Sequence, residues 1–286
     1  MSDHGFKVIE CPRDAMQGWK SFIPTVKKIE YINSLLKIGF DTIDFGSFVS
    51  PKAIPQMADT KEVLKGLNFD ISRSKLLAIV ANVRGAQEAA VHNEIAYLGF
   101  PFSVSETFQQ RNTNSSIAES LTRVEEIQQI CTKSNKQLVI YISMGFGNPY
   151  GDAYSQEIVF GWVNKIVELG IRTISLADTV GVAKPEEVYS MTKYLVEELP
   201  QVEIGVHLHS RPDNWKEKLD AAVNAGCRRF DGALKGIGGC PMAQDDLVGN
   251  MPTELMIPFF EQQHLLAGLN NDALQHCLQL AYKIFV

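Results

Sequence analysis

No stretch of this 286-residue sequence reaches the roughly 18 or more uninterrupted apolar residues of a membrane-spanning helix, so a membrane partner is not expected. Cysteine is scarce. The five present, Cys11, Cys131, Cys227, Cys240 and Cys277, contain no Cys-x-x-Cys pair. That excludes a disulfide framework and reads as reduced thiols in a cytoplasmic protein. Positive charge is not in excess, with 27 basic residues against 33 acidic ones and a net charge of −6, so no global attraction to nucleic acid is expected. The first 25 residues lack an apolar core of the secretory kind, so no signal segment is expected. Pro/Gly/Ser-rich linkers and low-complexity tracts are also missing, which points to a single domain over residues 1–286. What remains is 45% hydrophobic and 21% charged, an ordinary soluble composition with ample material for one large core.

Short β-branched or apolar runs alternate with amphipathic stretches at a period of about thirty residues. Strands are predicted at 7–11, 42–46, 76–81, 100–105, 137–143, 173–177, 203–209 and 228–234. Helices are predicted between them, among others at 24–36, 117–131, 156–169, 185–199 and 215–225. Gly39, Gly170 and Gly226 follow three of these helices, where a C-cap needs positive φ. Eight such units with largely apolar strands match an α/β fold of the (β/α)8 TIM-barrel class, with residues from about 252 to 286 as a helical C-terminal extension. A doubly wound open sheet is the competing arrangement. It calls for a glycine fingerprint after the first strand, and Cys11-Pro12-Arg13-Asp14 has none.

Catalytic groups of such barrels sit at the C-terminal ends of the strands. Those ends carry Arg13 and Asp14, Asp44 and Ser47, Glu106, Asp178, the pair His207 and His209, and the Gly236–Pro241 loop leading to Asn250. His207 and His209 are two apart on a strand and face the same way. With Asp14 and the Asn250 carbonyl oxygen they make a mixed N/O donor set that suits Zn, Mn, Fe or Mg; hydrogen-bonded structural histidines are the plainer reading. Arg13 suits an oxygen that gains charge in a transition state, or a structural ion pair. Cys240, behind three glycines in four positions, reads as a proton donor, base or nucleophile carried on a loop, or as an incidental thiol in a glycine-rich turn.

Together the strings Pro12-Arg13-Asp14-Ala15-Met16-Gln17, Ser47-Phe48-Val49-Ser50-Pro51-Lys52, Ser105-Glu106-Thr107-Phe108 with Arg111-Asn112, Ser175-Leu176-Ala177-Asp178-Thr179, His207-Leu208-His209 and Gly236-Ile237-Gly238-Gly239-Cys240-Pro241 resemble the 3-hydroxy-3-methylglutaryl-CoA lyase family. The likeness runs in order through residues 7–260. It implies a retro-Claisen carbon–carbon lyase acting on an acyl-CoA and using Mg2+ or Mn2+, with Zn2+ as a further option. It implies metal ligation by Asp14, His207, His209 and Asn250, and catalytic roles for Arg13, Asp14, His207, Cys240 and Asp44. Substrate contacts are implied for Arg13, Gln17, Ser47, Glu106, Asn112 and Gly238. Family members are usually dimeric, so a homodimer is implied.

The sequence departs from the family in places. Asp44 stands where glutamate is general, Ser210-Arg211-Pro212-Asp213 replaces an Asp-Thr-Tyr-Gly segment, and Asn148 replaces a cysteine. Arg211 is a candidate for recognising an extra carboxylate or for pairing with Asp213. A related Claisen- or aldol-type enzyme on another hydroxy acid, and an inactive barrel that binds acyl-CoA, are the alternatives.

Overall fold

The structure, a computed structural model, describes residues 5–70, 72–239 and 248–285. Its strands are β1 (Lys7–Glu10), β2 (Thr42–Ser47), β3 (Lys75–Ile79), β4 (Ile95–Ser103), β5 (Gln137–Ser143), β6 (Thr173–Ala177), β7 (Glu203–His207), β8 (His209–Ser210), β9 (Arg229–Gly232) and β10 (Gly249–Asn250). The helices are α1 (Pro12–Gln17), α2 (Thr25–Leu35), α3 (Thr60–Lys65), α4 (Val83–Ala90), α5 (Glu106–Thr113), α6 (Ile117–Lys133), α7 (Gln156–Glu168), α8 (Pro185–Glu198), α9 (Trp215–Asn224), α10 (Thr253–Gln262) and α11 (Asn271–Ile284). Strands β1 to β7 and β9 close a parallel barrel in chain order, with β1 pairing β9. This is the expected (β/α)8 architecture. Among the described residues, no helix is long and apolar enough to cross a membrane.

Local chemistry explains the helix limits. Asn82, Ser105, Ser116, Ser155 and Asn270 each cap a helix by accepting a backbone N–H, and Ser116 with Glu119 closes a capping box. Gly39, Gly170 and Gly226 take φ of 96°, 91° and 93°. Several strand limits differ from expectation, and two of the differences bear on the site or the pairing. β4 starts at Ile95 rather than at residue 100, because Ile95–Gly99 pairs with β3. The strand expected at 203–209 ends at His207; His209 and Ser210 leave the barrel and pair antiparallel with Asn250 and Gly249.

Burial divides into two compartments. A large apolar cluster joins the outward faces of the strands to the helices, and a small one of Leu77, Tyr97, Val139 and Tyr141 lies inside the barrel. The interior also holds polar groups: Asp44, Ser175, Arg229 and Asp231 are all buried there. Outside, Phe285 makes edge contacts with Tyr31 of α2 and with Trp19, seating the end of the chain on the first helices.

Glu10, fully buried at the end of β1, ties the first strand to the segment after β9. It accepts Leu234 N–H at 2.9 Å and the Thr253 hydroxyl at 2.6 Å. Burial pushes its carboxyl up to about 8, against the lowering effect of those two hydrogen bonds. The folded state therefore holds a proton that the unfolded chain releases near 4.5. Stability from this group is fully present below about 4.5 and is lost as pH rises to about 8. Glu10→Gln keeps the shape and a donor toward Thr253 without the titration. Thermal unfolding across that range is expected to show the parent losing a few kcal/mol more than the variant as pH rises; parallel curves would remove Glu10 as the cause.

Candidate active site

The chain enters the site as soon as β1 ends. Pro12 opens α1 at its first position, where a missing N–H costs nothing, and Arg13 and Asp14 follow in the first turn at the barrel rim. Arg13 Nε and Nη2 donate to Asp44 Oδ2 at 3.0 and 2.5 Å, and Nη1 donates to Asp14 Oδ1 at 2.9 Å. Asp44 reaches the guanidinium despite being shorter than the family's glutamate. Burial raises its pKa to about 6, and Arg13 keeps it ionised at neutral pH. Asp14 also accepts Gln17 Nε2 and Asn250 Nδ2, each at 2.7 Å. Desolvation opposes its charge, but Arg13, His207, His209 and Asn250 together outweigh that and hold it below the ordinary carboxylate range.

The two histidines are oriented by different partners. His207 Nδ1 lies 3.2 Å from Asp231 Oδ2 and His209 Nδ1 lies 3.1 Å from the Thr179 carbonyl, with the rings 5.3 Å apart. The Thr179 oxygen can only accept, so His209 carries its proton on Nδ1 and presents a lone pair on Nε2. That Nε2 is buried and has no hydrogen-bond partner among the described residues. Burial, then the charge of His207, lowers the His209 pKa to about 4. Burial also opposes protonation of His207, yet the Asp231 contact and its charge raise it overall. Lys218 of α9 donates to Asp178 Oδ2 at 2.7 Å and to the His209 carbonyl at 2.9 Å, clamping the segment that leaves the barrel. The β8–β10 ladder then sets Asn250 directly across from His209.

Donor atoms of Asp14, His207 and His209 all lie within 4.8 Å of one another. One anionic carboxylate, one neutral imidazole with an orphaned lone pair and a second imidazole fit a divalent cation in type and in protonation state. Cys11, His207 and Asp231 form a second close group, but burial and the nearby Asp231, Asp44 and Asp14 hold the Cys11 thiol well above its usual pKa.

A cavity of about 220 Å³ opens on this set, with Arg13, Asp14, Gln17, Asn112, His207 and His209 on its polar side and Ile54, Ile79, Pro101 and Phe108 among its apolar wall. Asp44 and Asn250 stand behind that wall through their contacts with Arg13 and Asp14. Gly238, at φ 113°, packs against Asn250 and Asp14: a Cβ there would fall on Asn250 Nδ2 and lie 2.9 Å from the Asp14 carbonyl oxygen. Ser47 is buried, with its hydroxyl unpartnered among the described residues. Glu106 is not part of the lining; it is exposed and accepts the Ile117 N–H at 3.1 Å, tying α5 to α6. Cys240 lies outside the described residues.

Arg211 is exposed, and among the described residues it forms no ion pair with Asp213; its N–H goes to Asn214 Oδ1. Asn148 staples its own loop, accepting from Tyr150 and Asp152 N–H. Sequence reasoning missed Asp231, Tyr141 and Lys218. A carboxylate in the predicted strand 228–234 was a usable signal for Asp231. Lys218 offered none, because a lysine on an amphipathic helix reads as solvated.

Comparison with known proteins points the same way. The HMGL-like family profile matches residues 8–280. The chain is 35% identical over 266 residues to the mitochondrial hydroxymethylglutaryl-CoA lyase of Bos taurus, covering 92% of this chain and 78% of that one. It is 32% identical to the hydroxymethylglutaryl-CoA lyase of Bacillus subtilis, covering 92% and 87%. Among solved structures, the HMG-CoA lyase of Acinetobacter baumannii in complex with coenzyme A and 3-methylmalate superposes with a TM-score of 0.90 at 32% identity, over 98% of this chain and 91% of that one.

If the three donors bind one cation, His209→Ala and Asp14→Asn each weaken Mn2+ binding by roughly 10-fold or more, read by the loss of free-ion EPR signal on titration. Unchanged Mn2+ affinity in both variants, with folding intact, would dismiss the shared site.

Proposed function

The chain belongs to the HMGL-like family, and on that premise we propose that it is a divalent-metal-dependent carbon–carbon lyase that cleaves 3-hydroxy-3-methylglutaryl-CoA to acetoacetate and acetyl-CoA. The observation that carries this reading is the convergence of Asp14, His207 and His209 with Arg13 on one cavity. Its acyl-CoA substrate is further supported by the coenzyme A bound in the Acinetobacter lyase. Four described cysteines, all free and buried, support a reducing compartment such as the cytoplasm.

Asp14, His207 and His209, with Asn250, would hold the cation, Mg2+ or Mn2+ by family and Zn2+ by its taste for imidazole. When bound, it supplies Lewis-acid acidification of the substrate hydroxyl. Of the two candidate bases for that hydroxyl proton, His207 is the stronger: Asp231 raises its pKa, whereas Asp14 is held low. His207 Nδ1 is turned to Asp231, so Nε2 serves one role at a time: where it takes the proton, the cation would be held by Asp14, His209 and Asn250. As the C2–C3 bond breaks, the hydroxyl oxygen becomes the ketone and the electron pair moves to the acyl oxygen. A guanidinium has five N–H donors; three of Arg13's go to Asp44 and Asp14, leaving two for that oxygen. Cys240 is assigned the return of a proton to the enolate carbon.

The test is acetoacetate release from 3-hydroxy-3-methylglutaryl-CoA with Mg2+ or Mn2+. Release is expected to fall roughly 100-fold or more in His207→Ala, and to vanish with EDTA. Arg13→Lys is expected to lower kcat by about 100-fold while moving KM much less, since the guanidinium acts on charge that develops in the transition state. No release from folded, cation-loaded protein overturns this substrate; release of a different ketone from another hydroxyacyl thioester would move the assignment to a related lyase.

A further inference from the structure

From Tyr141 in the cavity wall, a row of groups with no assigned role above runs across the barrel interior. Register places Tyr141 of β5 beside Ser175 of β6, Ser175 beside Gly205 of β7, and Gly205 beside Arg229 of β9. Gly205 lies two residues below His207 and Arg229 two below Asp231, so the row faces the same interior. Gly205 makes room: a Cβ there would lie 2.9 Å from Arg229 Cγ and Cδ, so the arginine runs across the glycine.

Arg229 is fully buried, and none of Nε, Nη1 and Nη2 has a hydrogen-bond partner among the described residues. The same is true of the Tyr141 hydroxyl, Ser175 Oγ and Asp231 Oδ1. Six polar atoms on neighbouring strands, left bare in a barrel interior, carry a desolvation cost that folded proteins rarely leave standing. Burial opposes the charge of Arg229, but Asp231, with Glu203 and Asp41, outweighs desolvation and supports its positive form. A guanidinium only donates and a carboxylate oxygen accepts, so whatever joins Arg229 to Asp231 Oδ1 must accept from the first and donate to the second. A proton-free anion such as chloride or sulfate cannot donate to Asp231, and a metal cation cannot accept from Arg229. Water does both, and buried waters commonly make about three hydrogen bonds each.

We propose that the row Tyr141–Ser175–Gly205–Arg229 encloses ordered water that bridges the Arg229 guanidinium to Tyr141, Ser175 and Asp231, and that Arg229 acts through this water as a positioning residue for the Asp231–His207 contact. Asp231 Oδ2 faces His207 Nδ1, while Oδ1 is buried and has no hydrogen-bond partner among the described residues. Water held on Oδ1 fixes the carboxylate plane, and the plane fixes the imidazole. The inference is independent of which substrate the cavity takes.

Two measurements on the metal-free full chain test it. A high-resolution crystal structure is expected to show water between Arg229 and Asp231 Oδ1. In 15N-histidine-labelled protein, the His207 Nδ1–H is expected to exchange slowly with solvent. Arg229→Met keeps the bulk and removes the donors; it is expected to speed that exchange by about tenfold, with Arg229→Lys restoring most of the protection. A merely structural arginine would alter melting temperature without singling out this proton. Where Arg229→Met does not fold, Ser175→Ala removes one hydroxyl and is expected to lose one water and to speed the exchange more modestly. A dry row with Arg229 bonded directly to Asp231 or Glu203 overturns the proposal, as does His207 exchange unchanged in the variants.

Discussion

One buried guanidinium organises the upper barrel. Arg13 spans Asp44 on β2 and Asp14 on α1, so a single side chain locks the first helical turn onto the second strand. Burying a charge without partners is prohibitive, and a buried pair tolerates the loss of neither member. Arg13 and its two carboxylates therefore stand as a unit. Asp14, held anionic by that unit, is drawn toward His207, His209 and Asn250 as the one carboxylate they share.

A polar interior needs stability from elsewhere. The apolar faces of the strands point outward to the helices, and nearly all of the large cluster lies in that shell. The inner faces are thereby freed for Asp44, Tyr141, Ser175, Arg229 and Asp231. The division suits a catalyst, because low dielectric strengthens each ion pair and hydrogen bond beneath the cavity while the outer shell carries the hydrophobic contribution. It also explains why the strands read as apolar: alternation is visible only where the inward residue is charged, and several inward residues are glycine, serine or tyrosine.

The departures from the family fall into place physically. Asp44 makes a close arginine contact, because the backbone brings it near enough for two N–H groups to reach one oxygen. Ser210 sits in the short ladder that presents Asn250 to His209, a role of its backbone that leaves the side chain replaceable. Asn148 has become a loop staple.

Local sequence specifies the barrel, the rim order and most of the polar groups around the cavity. Periodicity, glycine caps and strand-end position are local properties, and Arg13, Asp14, Asp44, His207 and His209 could be read from them. Three matters rest on tertiary contacts instead. Glu106 had the residue type and the strand-end position for substrate contact, yet the helix that begins with it directs its carboxylate to the next helix. Asp231, Lys218 and the row around Arg229 take their meaning from neighbours that lie far away along the chain. Strand 203–209 ended early because Asn250, more than forty residues on, offered His209 a better ladder than the barrel did. Pairing of that kind depends on which backbone groups closure leaves unpaired, and no local pattern encodes it.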